Sequence, residues 1–272
     1  MSVRPIRPAP GTAAPSGART GSTGAAAAAA WVVLLLGALA YTAWVLELVL
    51  ATGLDPVRAY VSELAAADQP LGGLFRATDL VAGLLVLVGA LIALATTERR
   101  PWTVAGFCAL ALFGAATALD SRLPLSCAPT SDPVCAARET AGLVPATHTA
   151  HAVSSTLAML GALAALVLLT VAARRYGHWP ALARLGPPLV LAELAATVWT
   201  LAEVAVLTAG RDTWALGVGQ RLQVLLVALY VGLLAGCMAR NARQDTRNGT
   251  PVTAQDPPAQ APAPPDPPRG DP

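Results

Sequence analysis

Two histidines at the start of a long apolar run are the residues best suited to do chemistry in this sequence. The stretch Ala146–Thr156 reads ATHTAHAVSST and contains His148 and His151, two of the three histidines in the chain. Because they are three residues apart, both imidazoles would share one face of a helix. Asp120 ends the preceding apolar run. These three side chains could bind Zn²⁺ and leave one position for a water molecule, which would then ionise near neutral pH.

The same three groups also admit chemistry without a metal, or no chemistry at all. Histidine titrates near physiological pH, so the imidazoles could act as general acid and general base. In a structural interpretation, Thr147 is the N-cap residue of a helix whose polar start needs no ligand. The sequence leaves these alternatives open, and only the first of them requires zinc as a cofactor.

Four further charged residues lie in or beside apolar segments, where a charge needs a partner or a purpose. Arg76 and Asp79 would share a helix face, so they either form an ion pair or contact a ligand. Arg221 is expected to pair across helices with Glu203 or Asp79. Alternatively, Arg76 and Arg221 could hold the phosphate or carboxylate of a ligand. All four residues are therefore candidate ligand-binding residues.

The composition is that of an integral membrane protein. Of 272 residues, 55% are hydrophobic and only 12% are charged, and the mean hydropathy is +0.56. A soluble domain of this length would carry far more charge. The net charge of +2 and the lack of a basic patch interleaved with aromatic residues argue against a nucleic-acid partner. Membrane lipid is the expected partner, and the sequence identifies no protein partner.

Six apolar segments could position the polar residues. Each has about the 20 residues that a helix needs to cross a bilayer. The apolar character is continuous and does not alternate, which favours helices over the strands of a barrel. The predicted fold is therefore all-α, a six-helix transmembrane bundle, with segments at about Ala25–Leu50, Leu74–Thr96, Trp102–Leu119, His148–Ala172, Pro187–Thr208 and Trp214–Ala239.

The sequence divides into one membrane domain and two polar ends. Residues 1–24 are rich in Pro, Gly, Ser, Thr and Ala, and residues 241–272 end in a proline-rich run. Neither end has an apolar period, so we expect both to be disordered. Residues 25–240 form the predicted transmembrane domain.

The distribution of arginine predicts how the bundle is oriented. Arginines concentrate in the N-terminal segment, at Arg99 and Arg100, at Arg174 and Arg175, and after Ala239, whereas the other connections carry charges of mixed sign. By the positive-inside rule, both termini are cytoplasmic in a multi-pass protein of the cell membrane. The connections that contain Glu63 and residues 120–145 then face outward.

Two cysteines in the long outward connection are expected to form a disulfide. Cys127 and Cys135 belong to the run SCAPTSDPVC, and an oxidising exterior permits them to pair. The alternative is a metal-binding or reactive thiol pair, although the spacing matches no zinc signature.

Three stretches carry a resemblance to known families. YVSELAAADQPLGGLFRATD, the region of Asp120 and Pro124 with its cysteines, and THTAHAVSS resemble a family of bacterial multi-pass proteins known as domain of unknown function 998, over about Trp31–Ala239. The activity of that family is not established, so the resemblance implies an architecture only.

The chain also shows a distant similarity to membrane hydrolases of the alkaline-ceramidase type, which use Ser, Asp and His around a metal. This resemblance implies such roles for Ser62, Asp120, His148 and His151. The late His-x-x-x-His pattern of that group has no counterpart in the last two segments here.

These observations support a membrane protein with a polar site near the outer leaflet, with an unknown ligand. One alternative is a metal-dependent hydrolase of a lipid or envelope substrate, with Asp120, His148 and His151 as ligands. A second is a small-molecule transporter or binder that uses Arg76, Arg221 and Glu193, the last a lone acid deep in the fifth segment that could couple protons. A third is a structural subunit in which every polar residue only joins helices.

Overall fold

The computed structural model describes residues 17–211 and 213–248, and in this part of the chain it contains helices and no strands. The all-α prediction is confirmed. Six of the helical stretches are long and apolar enough to cross a membrane, and the exception is the short α4. The helices are α1 Gly17–Tyr41, α2 Gly72–Thr96, α3 Pro101–Asp120, α4 Pro133–Thr140, α5 Ala146–Tyr176, α6 Pro180–Thr208 and α7 Leu216–Asn248.

Two short 3-10 helices complete the secondary structure. The first, Ala43–Leu48, continues α1, and the second, Val61–Ala65, precedes α2. The bundle end that holds these helices and the connection between α3 and α5 is called the disulfide end below. The other end carries the connections from α2 to α3 and from α5 to α6.

The start of α6 differs from the prediction. The segment was expected to start at Pro187, but α6 begins at Pro180 and contains Pro187 and Pro188 in its interior. Pro180 fits the first turn, where the missing N–H has no intrahelical acceptor to lose. Interior prolines are tolerated in membrane helices because neighbouring groups satisfy the freed carbonyls.

The predicted disordered ends lie largely outside the described residues. Residues 1–16 and 249–272 belong to these ends, and for them disorder stays a prediction. Helices α1 and α7 extend into the inner part of each predicted end, since α1 begins at Gly17 and α7 ends at Asn248.

The six long helices form a ring in which each packs against two neighbours. The order around the ring is α1, α2, α3, α5, α6 and α7, and α7 closes it against α1. The buried core includes Phe107, Phe113 and Leu169. Tyr230 of α7 donates a hydrogen bond to the Leu166 carbonyl of α5 at 2.9 Å and so joins the two helices that flank α6.

Glycines let α2 and α3 approach until their backbones touch. A Cβ atom on Gly83 would lie 2.5 Å from the Ala118 nitrogen, and one on Gly114 would lie 2.5 Å from the Leu87 nitrogen. Any larger residue would therefore force the two helices apart. This contact brings Asp79, one turn before Gly83, close to the end of α3.

The outer surface of the ring is apolar. Leu39, Leu91, Val198 and other large hydrophobic side chains are exposed along the long helices. An exposed apolar belt of this extent would be unstable in water and fits a surface covered by lipid.

Candidate functional site

A cavity of about 320 Å³ opens inside the ring at the disulfide end. All six long helices contribute to its wall, and the two 3-10 helices contribute Trp44 and Val61. Most of the wall is apolar, with a few polar groups on it, which is the usual composition of a small-molecule site. The polar residues of the wall include Asp79, Thr117, Asp120, Ser155, Thr200 and Gln220.

Three side chains at one wall of the cavity form a connected acid–base centre. His151 Nδ1 lies 3.1 Å from Asp120 Oδ1, and the other ring nitrogen, Nε2, lies 3.3 Å from Ser155 Oγ. The Ser155 hydroxyl donates a hydrogen bond to Asp120 Oδ2 at 2.9 Å. The arrangement is therefore a carboxylate, an imidazole and a hydroxyl in direct mutual contact.

The surroundings of His151 fix which ring nitrogen carries the proton when the ring is neutral. The Leu123 carbonyl oxygen lies 3.0 Å from Nδ1, and a carbonyl can only accept. With this carbonyl and the Asp120 carboxylate both at Nδ1, the proton resides there. Nε2 is left with its lone pair on the side of Ser155 Oγ. It can accept the hydroxyl proton once the hydroxyl rotates away from Asp120 Oδ2.

Local structure explains why these groups meet. His151 and Ser155 are four residues apart, so they stack on one face of α5. Asp120 is the last residue of α3, which packs along α5. Ser154 also donates a hydrogen bond to Asp120 Oδ1 and so helps to hold the carboxylate in place.

His148 takes different partners, one turn nearer the helix start. Its Nδ1 accepts a hydrogen bond from the Ser126 N–H at 3.1 Å and lies 2.9 Å from the Ser126 hydroxyl. Its Nε2 lies 3.6 Å from a Glu139 carboxylate oxygen. His148 therefore ties α5 to the loop and to α4.

The candidate zinc ligands are not gathered around one point. Asp120 and His151 touch, whereas His148 is engaged by the loop. Across the residues that the structure describes, no three His, Cys, Asp or Glu side chains are grouped so that they could hold a metal ion. The donor set expected for zinc is therefore not formed.

The N-cap prediction for Thr147 is wrong. Helix α5 starts at Ala146 with Pro145 as the N-cap residue, and no side chain caps it. Thr147 lies inside the first turn. The Pro145 carbonyl accepts the His148 N–H at 3.0 Å, so the proline sets the helix start.

The predicted ion pair between Arg76 and Asp79 is also wrong. Arg76 Nη1 donates to the carbonyls of Ala65 at 2.7 Å and Ala66 at 3.1 Å, at the end of the second 3-10 helix. Carbonyls at the end of a helix have no partner within it and attract donors such as guanidinium. Asp79 is left facing the cavity.

Arg221 does pair with a carboxylate from another element, but the partner is Glu47. Both guanidinium bonds to Glu47 measure 2.6 Å, and both side chains are buried. Glu203, one of the two predicted partners, instead accepts the Trp214 N–H at 3.2 Å. Arg221 and Glu203 therefore serve helix connections and do not line the cavity.

Glu193 is fully buried in α6, apart from the cavity wall. Within the described residues, neither of its carboxylate oxygens has a hydrogen-bond partner. Its carboxyl group thus lacks the hydrogen bond expected for a neutral buried acid.

A disulfide-closed loop is joined to the second 3-10 helix through the buried carboxylate of Glu63. Cys127 and Cys135 are bonded to each other, and Thr130 lies within the ring that they close. Glu63 of the second 3-10 helix accepts the Thr130 N–H at 2.9 Å and the Thr130 hydroxyl at 2.5 Å. The loop therefore holds the 3-10 helix that forms part of the cavity wall.

Burial raises the pKa of Glu63 to about 7, and the two bonds from Thr130 only partly offset this effect. Since the folded protein then binds a proton more tightly than the unfolded chain, stability falls as pH rises from about 4.5 to about 7. The contribution is about 3 kcal/mol at most. We expect the melting temperature of the wild type to fall across this window relative to that of Glu63→Gln. Melting temperatures that change by the same amount in both proteins between pH 4.5 and 8.5 would contradict this expectation.

Sequence reasoning missed two residues of the site. Ser155 had a usable signal, its four-residue spacing from His151. Gln220 lines the cavity, and its Oε1 accepts the Val61 N–H at 2.5 Å, so its amide NH₂ is available to a ligand. No sequence pattern links Gln220 to Val61, because these residues are far apart in the chain.

The cavity also reaches the apolar outer surface. Leu160 of α5 and Leu201 of α6 line it, and they are 57% and 61% exposed. A molecule in the bilayer would therefore meet the cavity between α5 and α6.

Comparison with known proteins gives one match. Residues 34–236 match the model of the family DUF998, which is described as 'protein of unknown function'. No curated protein and no solved structure matches the chain.

Proposed function

Because the chain belongs to the DUF998 family, whose function is unknown, we propose a function from the candidate site itself. The protein is a membrane-embedded hydrolase that cleaves an ester or a related acyl bond of an amphiphilic molecule. One observation carries this proposal: Ser155 Oγ contacts His151 Nε2, while His151 Nδ1 contacts Asp120.

The groups are suited to two-step acyl transfer. Ser155 Oγ attacks the carbonyl carbon, and its proton passes to His151 Nε2. The leaving alcohol departs with that proton, and an acyl ester remains on Ser155. Water then attacks this ester, again with His151 as base, and releases the acid and the free hydroxyl. Asp120 stabilises the imidazolium that forms in both steps.

A donor for the developing oxyanion is also available. The Gln220 amide oxygen accepts the Val61 N–H, and its NH₂ group, which has no hydrogen-bond partner among the described residues, could donate to a substrate oxygen. Side-chain amides serve this role where they are fixed before the reaction.

An amphiphilic substrate follows from where the cavity opens. Its apolar walls and its exposed rim at Leu160 and Leu201 suit an acyl chain that enters from the bilayer. The arginine distribution and the disulfide support an extracytoplasmic position for this end in the cell membrane. The substrate would then be a lipid of the outer leaflet or an envelope component.

The proposal assigns proton transfer, not metal binding, to Asp120 and His151. Its basis is that His148 is engaged by Ser126 and Glu139, away from the other two candidate ligands. Hydrolysis should therefore not depend on zinc.

The test is ester hydrolysis by purified protein in nanodiscs. We expect p-nitrophenyl octanoate to be hydrolysed above the rate of empty nanodiscs, faster than the acetate, and equally fast after treatment with a zinc chelator. A rate equal to that of empty nanodiscs would reject the proposal. Loss of the rate with chelator, restored by Zn²⁺, would reject it in favour of a metal-dependent reaction.

A further inference from the structure

We propose that the cavity selects amphiphiles that carry a protonated amine, which Asp79 binds. The inference rests on the proposed function only in taking the same cavity as the substrate site. It concerns binding and can be tested without hydrolysis.

Asp79 is a carboxylate without a partner in the part of the chain that the structure describes. It lines the cavity and makes neither a hydrogen bond nor an ion pair there. Arg76, one turn away on α2, is held by the carbonyls of Ala65 and Ala66. A carboxylate in a largely apolar cavity is unfavourable unless a cation or several donors accompany it.

The other carboxylate of the cavity is already satisfied. Asp120 accepts hydrogen bonds from Ser154 and Ser155 and contacts His151. Among the residues that the structure describes, no arginine lines the cavity, and the sequence contains no lysine. In the described part of the chain, the wall therefore has two acidic side chains and no basic one, and the acid without a partner is Asp79.

Aromatic side chains on the same wall favour a cation as well. Tyr41, Trp44 and Phe75 all line the cavity. The face of an aromatic ring attracts an ammonium group, most strongly where water is excluded. An apolar chain would pack on the same rings, so one surface can hold both parts of an amphiphilic amine.

Two buried threonine hydroxyls provide further acceptors for an ammonium group in the cavity. Thr117 and Thr200 are only 6% and 8% exposed, and both line the cavity. No hydrogen-bond partner for either Oγ1 atom exists among the described residues. Buried hydroxyls are normally satisfied, and an ammonium group offers three donors. Asp79 with either threonine could accept two of them.

An anionic head group fits this cavity poorly. The two arginines that could have bound a phosphate or carboxylate, Arg76 and Arg221, are engaged elsewhere and do not line the wall. An anion would meet Asp79 and Asp120 instead. The two acidic side chains thus favour a cationic ligand over an anionic one.

The experiment compares three probes with the same twelve-carbon chain: dodecylamine, dodecanol and dodecanoate. Binding is measured by calorimetry at pH 7.5 in nanodiscs of zwitterionic lipid, and the signal of empty nanodiscs is subtracted. We expect the wild type to bind dodecylamine about tenfold or more tightly than either other probe. Equal affinity for dodecylamine and dodecanol, or a preference for dodecanoate, would overturn the inference.

Two variants locate the effect. Asp79→Asn should reduce the preference for the amine to less than about twofold. Asp68→Asn, at an exposed carboxylate between the second 3-10 helix and α2, should retain it. An unchanged preference in Asp79→Asn would overturn the inference, and if that variant fails to fold, Thr200→Val should weaken amine binding selectively. Amine binding without ester hydrolysis would reject the proposed function alone, and hydrolysis without amine preference would reject this inference alone.

Discussion

Replacing Ser155 by alanine should lower the rate of p-nitrophenyl octanoate hydrolysis by about 1,000-fold or more, because the attacking oxygen is removed. His151→Ala should have a similar effect, since hydroxyl and imidazole act as one unit and the loss of either removes most of their joint contribution. The double variant should therefore be little worse than either single variant. Rates are measured in nanodiscs, and circular dichroism confirms that each variant folds.

Two control variants make this prediction specific. Ser131 is an exposed serine of the disulfide loop, and Ser131→Ala should leave the rate unchanged. His148→Asn, in which the amide oxygen can replace Nδ1 as acceptor for Ser126, should retain the rate within about tenfold, because His148 acts through the loop. Equal loss of activity in His148→Asn and His151→Ala would favour the metal-dependent alternative over the acyl-transfer centre.

Breaking the buried ion pair between Arg221 and Glu47 should destabilise the fold by about 3–5 kcal/mol, the usual effect of leaving one charge of such a pair buried alone. The two side chains are 8% and 3% exposed, and Arg221 also donates to the carbonyls of Ala59 and Gly217. Glu47→Gln should therefore lower the free energy of unfolding more than most substitutions on the bundle surface. Chemical unfolding in detergent micelles measures the change.

A second ion pair provides a matched control for this prediction. Arg58 and Asp55 are 3.9 Å apart and are 65% and 56% exposed, so Arg58→Ala should change stability by less than about 1 kcal/mol. Replacement of both buried partners by Glu47→Leu and Arg221→Met should recover much of the loss. A Glu47→Gln protein as stable as the wild type would show that this pair does not hold the first 3-10 helix to α7.

The number and type of the six long helices could be predicted because the bilayer constrains them directly. A continuous apolar run of about 20 residues has few alternatives to a helix in lipid. The disulfide followed from two cysteines in one short polar loop. Boundaries were less certain where prolines occur: Pro187 looked like a helix start, although seven residues earlier Pro180 already fills that role.

The partners of the charged residues could not be predicted, because sequence spacing gives a helix face but not what packs against it. His148 and His151 share a face of α5, yet they have different partners. His148, nearer the helix start, contacts Ser126 of the loop, and His151, one turn further along, contacts the carboxylate of Asp120. Arg221 forms an ion pair with Glu47 because α7 packs against α1, and Glu47 lies in the 3-10 helix that continues α1. That closure is a property of the whole bundle, and no local pattern encodes it.

The measurement that tests the central claim most directly is the position of a covalent adduct. A phosphonofluoridate with an octyl chain reacts with an activated serine hydroxyl, which bonds to phosphorus as fluoride leaves. Peptide mass spectrometry of labelled protein in nanodiscs should find one adduct, on Ser155, and Ser155→Ala should remain unlabelled. Absence of an adduct on the wild type, or an adduct on another residue that persists in Ser155→Ala, would contradict the account.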